Sequence, residues 1–285
     1  MQNIEINGLK IGPNEPVKIL GVINLSPESF YKGSIKTGPG IILQTALRQV
    51  KEGAQIIDVG AKSTAPYLET QISPEEEMKR AVKGLKIIRN EIKNPISIDT
   101  TRSIVAKAAV ENGATIINDI SGLNDDLIIA SVAAKFDVPI ILGAWNINRF
   151  KGNPTERVIE ALKDSIKKAL DAGVGEDKII IDPDIGFHRI EDYKWYKIDA
   201  HLLMNIPKML EELNQPVCIG LSRKSFIGHI LEIKDPQDRL FGSLGATSIA
   251  ILHGAKIIRT HDVKETLDSI RIIERIISIS KEIEK

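Results

Sequence analysis

The sequence predicts an α/β protein built as one (β/α)8 TIM barrel. Short Ile/Val-rich runs alternate with longer amphipathic segments about eight times in series. The runs are nearly continuous in apolar residues, as parallel strands covered on both faces are. The segments between them end in Gly or Asn just ahead of the next run, at Gly53, Gly113, Gly173 and Gly254, which suits left-handed helix C-caps. Strict alternation implies parallel strands joined by right-handed crossovers. Eight such units in 285 residues fit a closed barrel better than an open sheet.

The elements follow in order. Asn3–Ile11 reads as a short β-hairpin that plugs the barrel floor. Val17–Ile23 is the first barrel strand and Gly40–Lys51 the first helix. Gln55–Val59 is the second strand. Its helix, Pro74–Asn90, opens with Ser73 as N-cap, Pro74 at the first helical position and an acidic first turn. The third and fourth units are Ile96–Ile98 with Thr100–Asn112, and Thr115–Asn118 with Asp126–Phe136. The fifth and sixth are Val138–Leu142 with Pro154–Ala172, and Lys178–Ile181 with Ala200–Leu213. Val217–Leu221 with Arg239–His253, then Lys256–Arg259 with Val263–Ile279, complete the series. No Gly-x-Gly-x-x-Gly follows the first strand, which argues against a dinucleotide-binding fold. No linker, internal repeat or low-complexity stretch interrupts the chain, so residues 1–285 read as one domain with Lys281–Lys285 frayed.

Composition narrows the function classes. Lys+Arg and Asp+Glu both number 38, and zero net charge argues against nucleic acid or an anionic membrane as the main partner. The 42 % apolar and 27 % charged content suits a folded, soluble chain. Cys218 is the only cysteine. It leaves no internal disulfide or cysteine-rich zinc site and suits a reducing cytoplasm. No apolar run approaches the ~20 residues of a membrane span, and the N-terminus lacks the pattern of a signal peptide.

In such a barrel the active site lies at the C-terminal strand ends. The eight ends carry Asn24 with Ser26; Asp58 with Lys62, Ser63 and Thr64; Asp99-Thr100; Asn118-Asp119; Trp145-Asn146; Asp182-Pro183-Asp184 with Phe187; Ser222-Arg223-Lys224-Ser225; and Arg259-Thr260-His261-Asp262. Polar residues there also serve as helix N-caps, an alternative open for Thr100, Asp119 and Asp262. Asp58 could bond local backbone. His201, His229 and His253 lie in helical patterns and read as surface or packing residues. Trp195 and Tyr196 read as a packing anchor in a loop, and His188 as a residue of the mouth. The set Asp99, Asn118, Asp182 and Lys224 comes from four strands and converges on one mouth. Carboxylates, an amide and a lysine suit a flat, nitrogen-rich heterocycle, because a carboxylate accepts from a ring N–H and an adjacent amino group together. Arg259, His261 and Asn24 could hold an anion or a metal-bound phosphate. Neither a Ser–His–Asp triad nor a zinc cluster is legible.

At these residues the sequence resembles the dihydropteroate synthase family of pterin-binding barrels. The motifs GVINLSPESF, GAQIIDVGAKSTAP, ISIDTTRSIVAKAAVENGATIINDISG, IIIDPDIGF, GLSRKSFIG and IIRTHDVKET carry the resemblance from Ile19 to about Ile272. It implies condensation of 6-hydroxymethyl-7,8-dihydropterin diphosphate with para-aminobenzoate, release of pyrophosphate, use of Mg2+, and a homodimer. Asp99, Asn118, Asp182 and Lys224 would then bind the pterin, with Arg259 against its plane. Asn24, Thr64, Arg259 and His261 would meet the diphosphate, Asn24 also standing near the metal. Phe187, Ser222 and Lys224 would border the aniline. Lys224, Arg259 and His261 are the candidate catalytic residues.

Several positions depart from the family. Its second loop carries an arginine where this chain has Ala65, and an acidic residue where it has Lys62. Lys62 would bring a cation to the aniline side without the fork of a guanidinium. The usual Met-His stretch after the fifth strand reads Gly143-Ala144-Trp145-Asn146 here, and the usual Gly after the sixth is Asp184. The pterin side is thus well matched and the second-substrate side altered. Three functions follow. One is a synthase using para-aminobenzoate or a larger aniline, on the way to folate or methanopterin-type cofactors. The others are a pterin-dependent methyltransferase and a non-catalytic pterin-binding barrel. Ser222-Arg223-Lys224-Ser225 and Arg259-x-His261 count against the methyltransferase, since a methyl donor has no diphosphate to hold.

Overall fold

The structure, a computed structural model, describes residues 1–26, 38–62 and 72–283. Strands β1 (Ile4–Ile6) and β2 (Leu9–Ile11) pair antiparallel, Ile4 opposite Ile11 and Ile6 opposite Leu9. Asn7 and Gly8 join them at φ 50° and 82°, the positive values that a two-residue turn between right-twisted strands requires. The predicted hairpin is therefore present.

Eight parallel strands follow: β3 (Lys18–Asn24), β4 (Ile56–Gly60), β5 (Ile96–Asp99), β6 (Ile116–Asp119), β7 (Ile140–Gly143), β8 (Ile179–Asp182), β9 (Cys218–Gly220) and β10 (Ile257–Thr260). They run in the spatial order β8-β7-β6-β5-β4-β3-β10-β9, and a parallel bridge between Ile181 and Val217 joins the two ends of the sheet. This is the predicted barrel.

Side chains alternate in and out along a strand. Leu20, Ile56, Ile116, Ile141, Ile180, Cys218 and Ile257 point inward and form one apolar layer with Ile4, Ile6 and Ile11 of the hairpin. The hairpin is the floor of the barrel, each buried isoleucine contributing about 1.5–3 kcal/mol. Two residues further on, the same inward face carries Val22, Asp58, Asn118, Gly143, Asp182, Gly220 and Arg259. Asp99 stands level with Gly60 and Asn118 in the pairing register. The floor is apolar and the next layer polar, so strand register alone assembles the site.

The outer layer is α1 (Pro39–Glu52), α2 (Pro74–Arg89), α3 (Ser103–Glu111), α4 (Ile128–Phe136), α5 (Pro154–Asp171), α6 (Trp195–Met204), α7 (Ile206–Leu213), α8 (Ser225–Ile230), α9 (Leu240–Leu252) and α10 (Val263–Ile283). Ser73 caps α2 by accepting from Glu76 N. Gly53, Gly113, Gly173 and Gly254 take φ of 110°, 101°, 92° and 98°, as left-handed caps do. The segment read as one helix over Ala200–Leu213 is two. Pro207 has no N–H to continue the ladder onto the Leu203 carbonyl, and His253 Nδ1 bonds that carbonyl instead at 3.1 Å. Trp195 begins α6 rather than sitting in a loop. Helix α8 was not read from the sequence, because its six residues are too short to show a helical period. The C-terminal helix continues to Ile283, beyond the point where fraying was expected. No helix among the described residues is long and apolar enough to cross a membrane.

Candidate active site

One cavity opens at the C-terminal ends of the strands. Asp99, Asn118, Asp182, Asp184, Phe187, Lys224 and Arg259 are among the residues that line it, with Gly220 at its wall. The four predicted pterin-side residues thus meet in one place, together with Arg259 and Phe187. Asp99 Oδ1 is buried and has no hydrogen-bond partner among the described residues. A buried acceptor in that condition is an open position for a ligand donor.

Arg259 is fixed by two carboxylates. Its Nε donates to Asp58 Oδ2 at 2.7 Å and its Nη2 to Asp99 Oδ2 at 2.7 Å. Burial works against the charge, but Asp58 and Asp99 outweigh it and hold the guanidinium above its ordinary pKa. Asp58 therefore does not bond local backbone as the sequence allowed. It is fully buried and orients Arg259. The signal for it was its place two residues after inward-facing Ile56. Burial, reinforced by the neighbouring Asp58 charge and opposed by Arg259, raises Asp99 to about 7. Burial likewise raises Asp182.

Lys224 follows β9, the strand that pairs with the Arg259-bearing β10. Its Nζ sits 3.8 Å from the centroid of the Phe187 ring. Its chain runs over Gly186, where a Cβ would stand 2.8 Å from Lys224 Cδ. Gly186 has φ 98°, and its N–H donates to Asp199 Oδ1 at 2.8 Å. The glycine, the ring and the lysine are thus one packed unit. Burial lowers Lys224 to about 8.

Ser222 and His261 meet from neighbouring strand ends, His261 Nδ1 lying 3.0 Å from Ser222 Oγ. Burial, then the Arg259 charge, lowers His261 to about 3, so the imidazole is neutral and offers a hydrogen bond rather than a charge. Asp262 accepts from the same Ser222 hydroxyl at 3.4 Å. It accepts from Arg223 Nε at 2.9 Å and Nη2 at 2.7 Å. Arg223 at φ 58° also donates to the Pro236 carbonyl at 2.9 Å. The arginine of the Ser-Arg-Lys-Ser motif is therefore a brace between two loops.

Asn24 ends β3 on the same rim. A Cβ on Gly60 would lie 3.4 Å from Asn24 Oδ1 and 3.7 Å from Asp99 Oδ2, which puts the two residues side by side. No group of three or more His, Cys, Asp and Glu among the described residues could hold a metal by itself. Hard oxygens at Asn24 and Asp99 nevertheless fit magnesium, which takes few protein ligands and completes its shell with substrate phosphates and water. Lys62 follows β4 and has no hydrogen-bond or ion-pair partner among the described residues. Thr64 lies outside the described residues.

Other strand-end residues have local roles. Asp119 accepts from Ser121 N at 2.9 Å and Leu123 N at 2.8 Å, so it shapes its own loop. Thr100 donates to buried Glu77 at 2.6 Å and caps no helix. His188 is buried, with Nε2 at 2.8 Å from the Pro183 carbonyl, and thereby pins the loop after β8. His229 stacks on Tyr196 with ring centroids 4.0 Å apart, and His201 is exposed.

The chain matches the pterin binding enzyme family over residues 20–261. It is 35 % identical to dihydropteroate synthase of Clostridium beijerinckii, over 96 % of this chain and 99 % of that one. Among solved structures, dihydropteroate synthase of Xanthomonas albilineans with 4-aminobenzoic acid has a TM-score of 0.85 at 29 % identity, covering 96 % of this chain and 98 % of that one. The Coxiella burnetii synthase in complex with pteroic acid has a TM-score of 0.84 at 34 % identity, covering 98 % of this chain and 100 % of that one.

Proposed function

Because this chain belongs to the pterin binding enzyme family, among the dihydropteroate synthases, we propose the following chemistry for its site. The enzyme condenses 6-hydroxymethyl-7,8-dihydropterin diphosphate with para-aminobenzoate or a related aniline and releases pyrophosphate, a step of folate biosynthesis. The observation that carries this is the convergence of Asp99, Asn118, Asp182, Lys224 and Arg259 on one cavity.

Asp182 accepts from the ring N–H and amino group of the pterin, and Asn118 and Asp99 complete that polar edge. Lys224 faces the opposite edge and a ring acceptor. Arg259, oriented by Asp58, lies against the ring and reaches the diphosphate with His261, Asn24 and Thr64. Pyrophosphate departs with its bonding electrons. The exocyclic carbon is left as a cation delocalised into the pterin, and the aniline nitrogen attacks it, then loses its extra proton to water or the departed pyrophosphate. The site needs no strong base; it positions the reactants and stabilises the leaving charge. Phe187 and Lys224 border the aniline, and Ser222 and Lys62 stand toward its carboxylate. Asn24 would hold magnesium beside the diphosphate, where the ion would supply neutralisation of leaving-group charge.

The enzyme acts in the cytoplasm as a homodimer. Support for the second copy is an apolar stripe on α9. Phe241 is 83 % exposed and Leu252 62 %, and Gly245 and Ile249 lie between them on the same helical face, with Leu231, just past the end of α8, against Gly242 of the same helix. Phe241→Asp should give monomers in sedimentation.

Titration with the pterin diphosphate tests the pocket. Asp182→Asn replaces an acceptor oxygen with a donor and should weaken binding at least 50-fold, roughly the worth of a charge-assisted pair. Unchanged affinity would refute the assignment. Arg259→Ala should weaken the diphosphate substrate more than the plain hydroxymethylpterin; equal losses would refute its anion role.

A further inference from the structure

Two of the places where this chain departs from its family touch each other. Gly143 ends β7, where the family has a Met-His stretch, and Asp184 follows β8, where the family has glycine. Asp184 has a left-handed backbone, at φ 51°. A Cβ on Gly143 would stand 2.5 Å from Asp184 Oδ2 and 2.2 Å from the Ile120 carbonyl oxygen. No side chain larger than hydrogen fits at 143, because the Ile120 backbone carbonyl blocks it with or without Asp184, and the Asp184 carboxyl packs beside the bare glycine.

Asp184 lines the cavity with Asn118, Asp182 and Lys224. It is 3 % exposed, its Oδ2 has no hydrogen-bond partner among the described residues, and its own N–H donates to Asp182 Oδ1 at 2.8 Å. Barrel order places β7 between β6, which carries Asn118, and β8, which carries Asp182. A ring edge read by those two residues passes the Gly143 position. Asp182 takes the ring N–H and one hydrogen of the exocyclic amino group. The second amino hydrogen then needs an acceptor on the β7 side, and the Asp184 carboxyl is there. Burial and the adjacent Asp182 charge push Asp184 well above the usual carboxylate range. A neutral carboxyl keeps its carbonyl oxygen as an acceptor and avoids a second buried negative charge.

We propose that Asp184, buried beside Gly143 at the cavity wall, is a further binding residue that reads the 2-amino group of the pterin together with Asp182. The proposal rests on the synthase reading of the same pocket. It makes this site more selective for the 2-amino group than one with glycine at that position.

Asp184→Gly and Asp184→Asn test it by titration with 6-hydroxymethylpterin and with the analogue lacking the 2-amino group. Asp184→Gly restores the residue suited to positive φ and removes a buried carboxyl, so it should fold at least as stably as the wild type. It should bind 6-hydroxymethylpterin 5- to 30-fold more weakly and the desamino analogue within twofold of the wild type. Asp184→Asn can still offer an amide oxygen and should fall between the two. A folded Asp184→Gly with unchanged preference for the 2-amino compound would overturn the proposal and leave the synthase reading standing. Failure of the wild type itself to bind 6-hydroxymethylpterin would overturn both.

Discussion

Arg259 Nε donates to Asp58 Oδ2 at 2.7 Å across 201 positions of sequence. The bond ties the end of the last barrel strand to the middle of the second. The guanidinium cannot swing out of the mouth without leaving a buried charge at Asp58. Asp58→Asn keeps the shape and removes that charge. It should lower kcat/KM for the pterin diphosphate by roughly 10- to 100-fold and destabilise the protein by about 3 kcal/mol. Urea unfolding and steady-state kinetics on the same preparation check this. Losing neither activity nor stability would remove Asp58 from its place behind Arg259.

The pH profile follows from two groups on opposite sides of the cavity. Asp99 must be ionised to pair with Arg259 and hold it in place, and it rises to about 7 through burial first and the Asp58 charge after it. Lys224 must be protonated and falls to about 8, again through burial first. The expected kcat/KM profile is a bell with its maximum between those values, each limb approaching tenfold per pH unit. Lys224→Arg should lose activity but also lose the alkaline limb, because guanidinium stays charged. An unchanged alkaline limb in that variant would assign it to another group.

Stability of the free enzyme moves in the opposite direction on the acid side. Asp99 has a folded pKa above its ordinary 3.8. Its contribution is therefore full below about pH 4 and is lost as pH rises through about 7. The difference in unfolding free energy between wild type and Asp99→Asn should shrink over that window. A constant difference from pH 4 to 7 would contradict the raised carboxyl.

Arg223 and Asp262 share two hydrogen bonds in a buried setting. Arg223→Lys loses the fork and should destabilise by about 1–3 kcal/mol, and Arg223→Ala by about 3–5 kcal/mol. Both should lower kcat, because Ser222 and Lys224 flank the brace. Denaturant unfolding that puts Arg223→Lys within about 0.5 kcal/mol of wild type would show that the second hydrogen bond contributes little.

The floor should behave differently from the rim. Ile6 is 2 % exposed beneath the layer of Leu20 and Ile56. Ile6→Ala should destabilise by about 2–4 kcal/mol and leave KM for both substrates unchanged where the variant is folded. A raised KM would mean that the floor transmits strain to the site.

Much of this was legible in the sequence, and the exceptions have physical causes. The barrel was legible because Ile-rich runs such as Ile179–Ile181 and glycine caps such as Gly53 depend on local chemistry. Asp99, Asn118, Asp182 and Lys224 were legible because strand ends converge in a closed barrel. Asp58 was harder, since its partner Arg259 lies at the far end of the chain and only register brings them together. The break before Pro207 was signalled by the proline but hidden by the apolar period around it. The fit between Gly143 and Asp184 needs coordinates, because each looks like an isolated departure until their distance is known. Thr64 and the second-loop alanine, Ala65, fall outside the described residues.

The most direct measurement is pyrophosphate release from 6-hydroxymethyl-7,8-dihydropterin diphosphate with magnesium, with and without para-aminobenzoate, while dihydropteroate is followed. Release that depends on para-aminobenzoate and matches dihydropteroate formed mole for mole is the predicted result. Tight pterin binding with no release in the presence of para-aminobenzoate or other anilines would contradict the synthase account and leave a pterin-binding barrel of another kind.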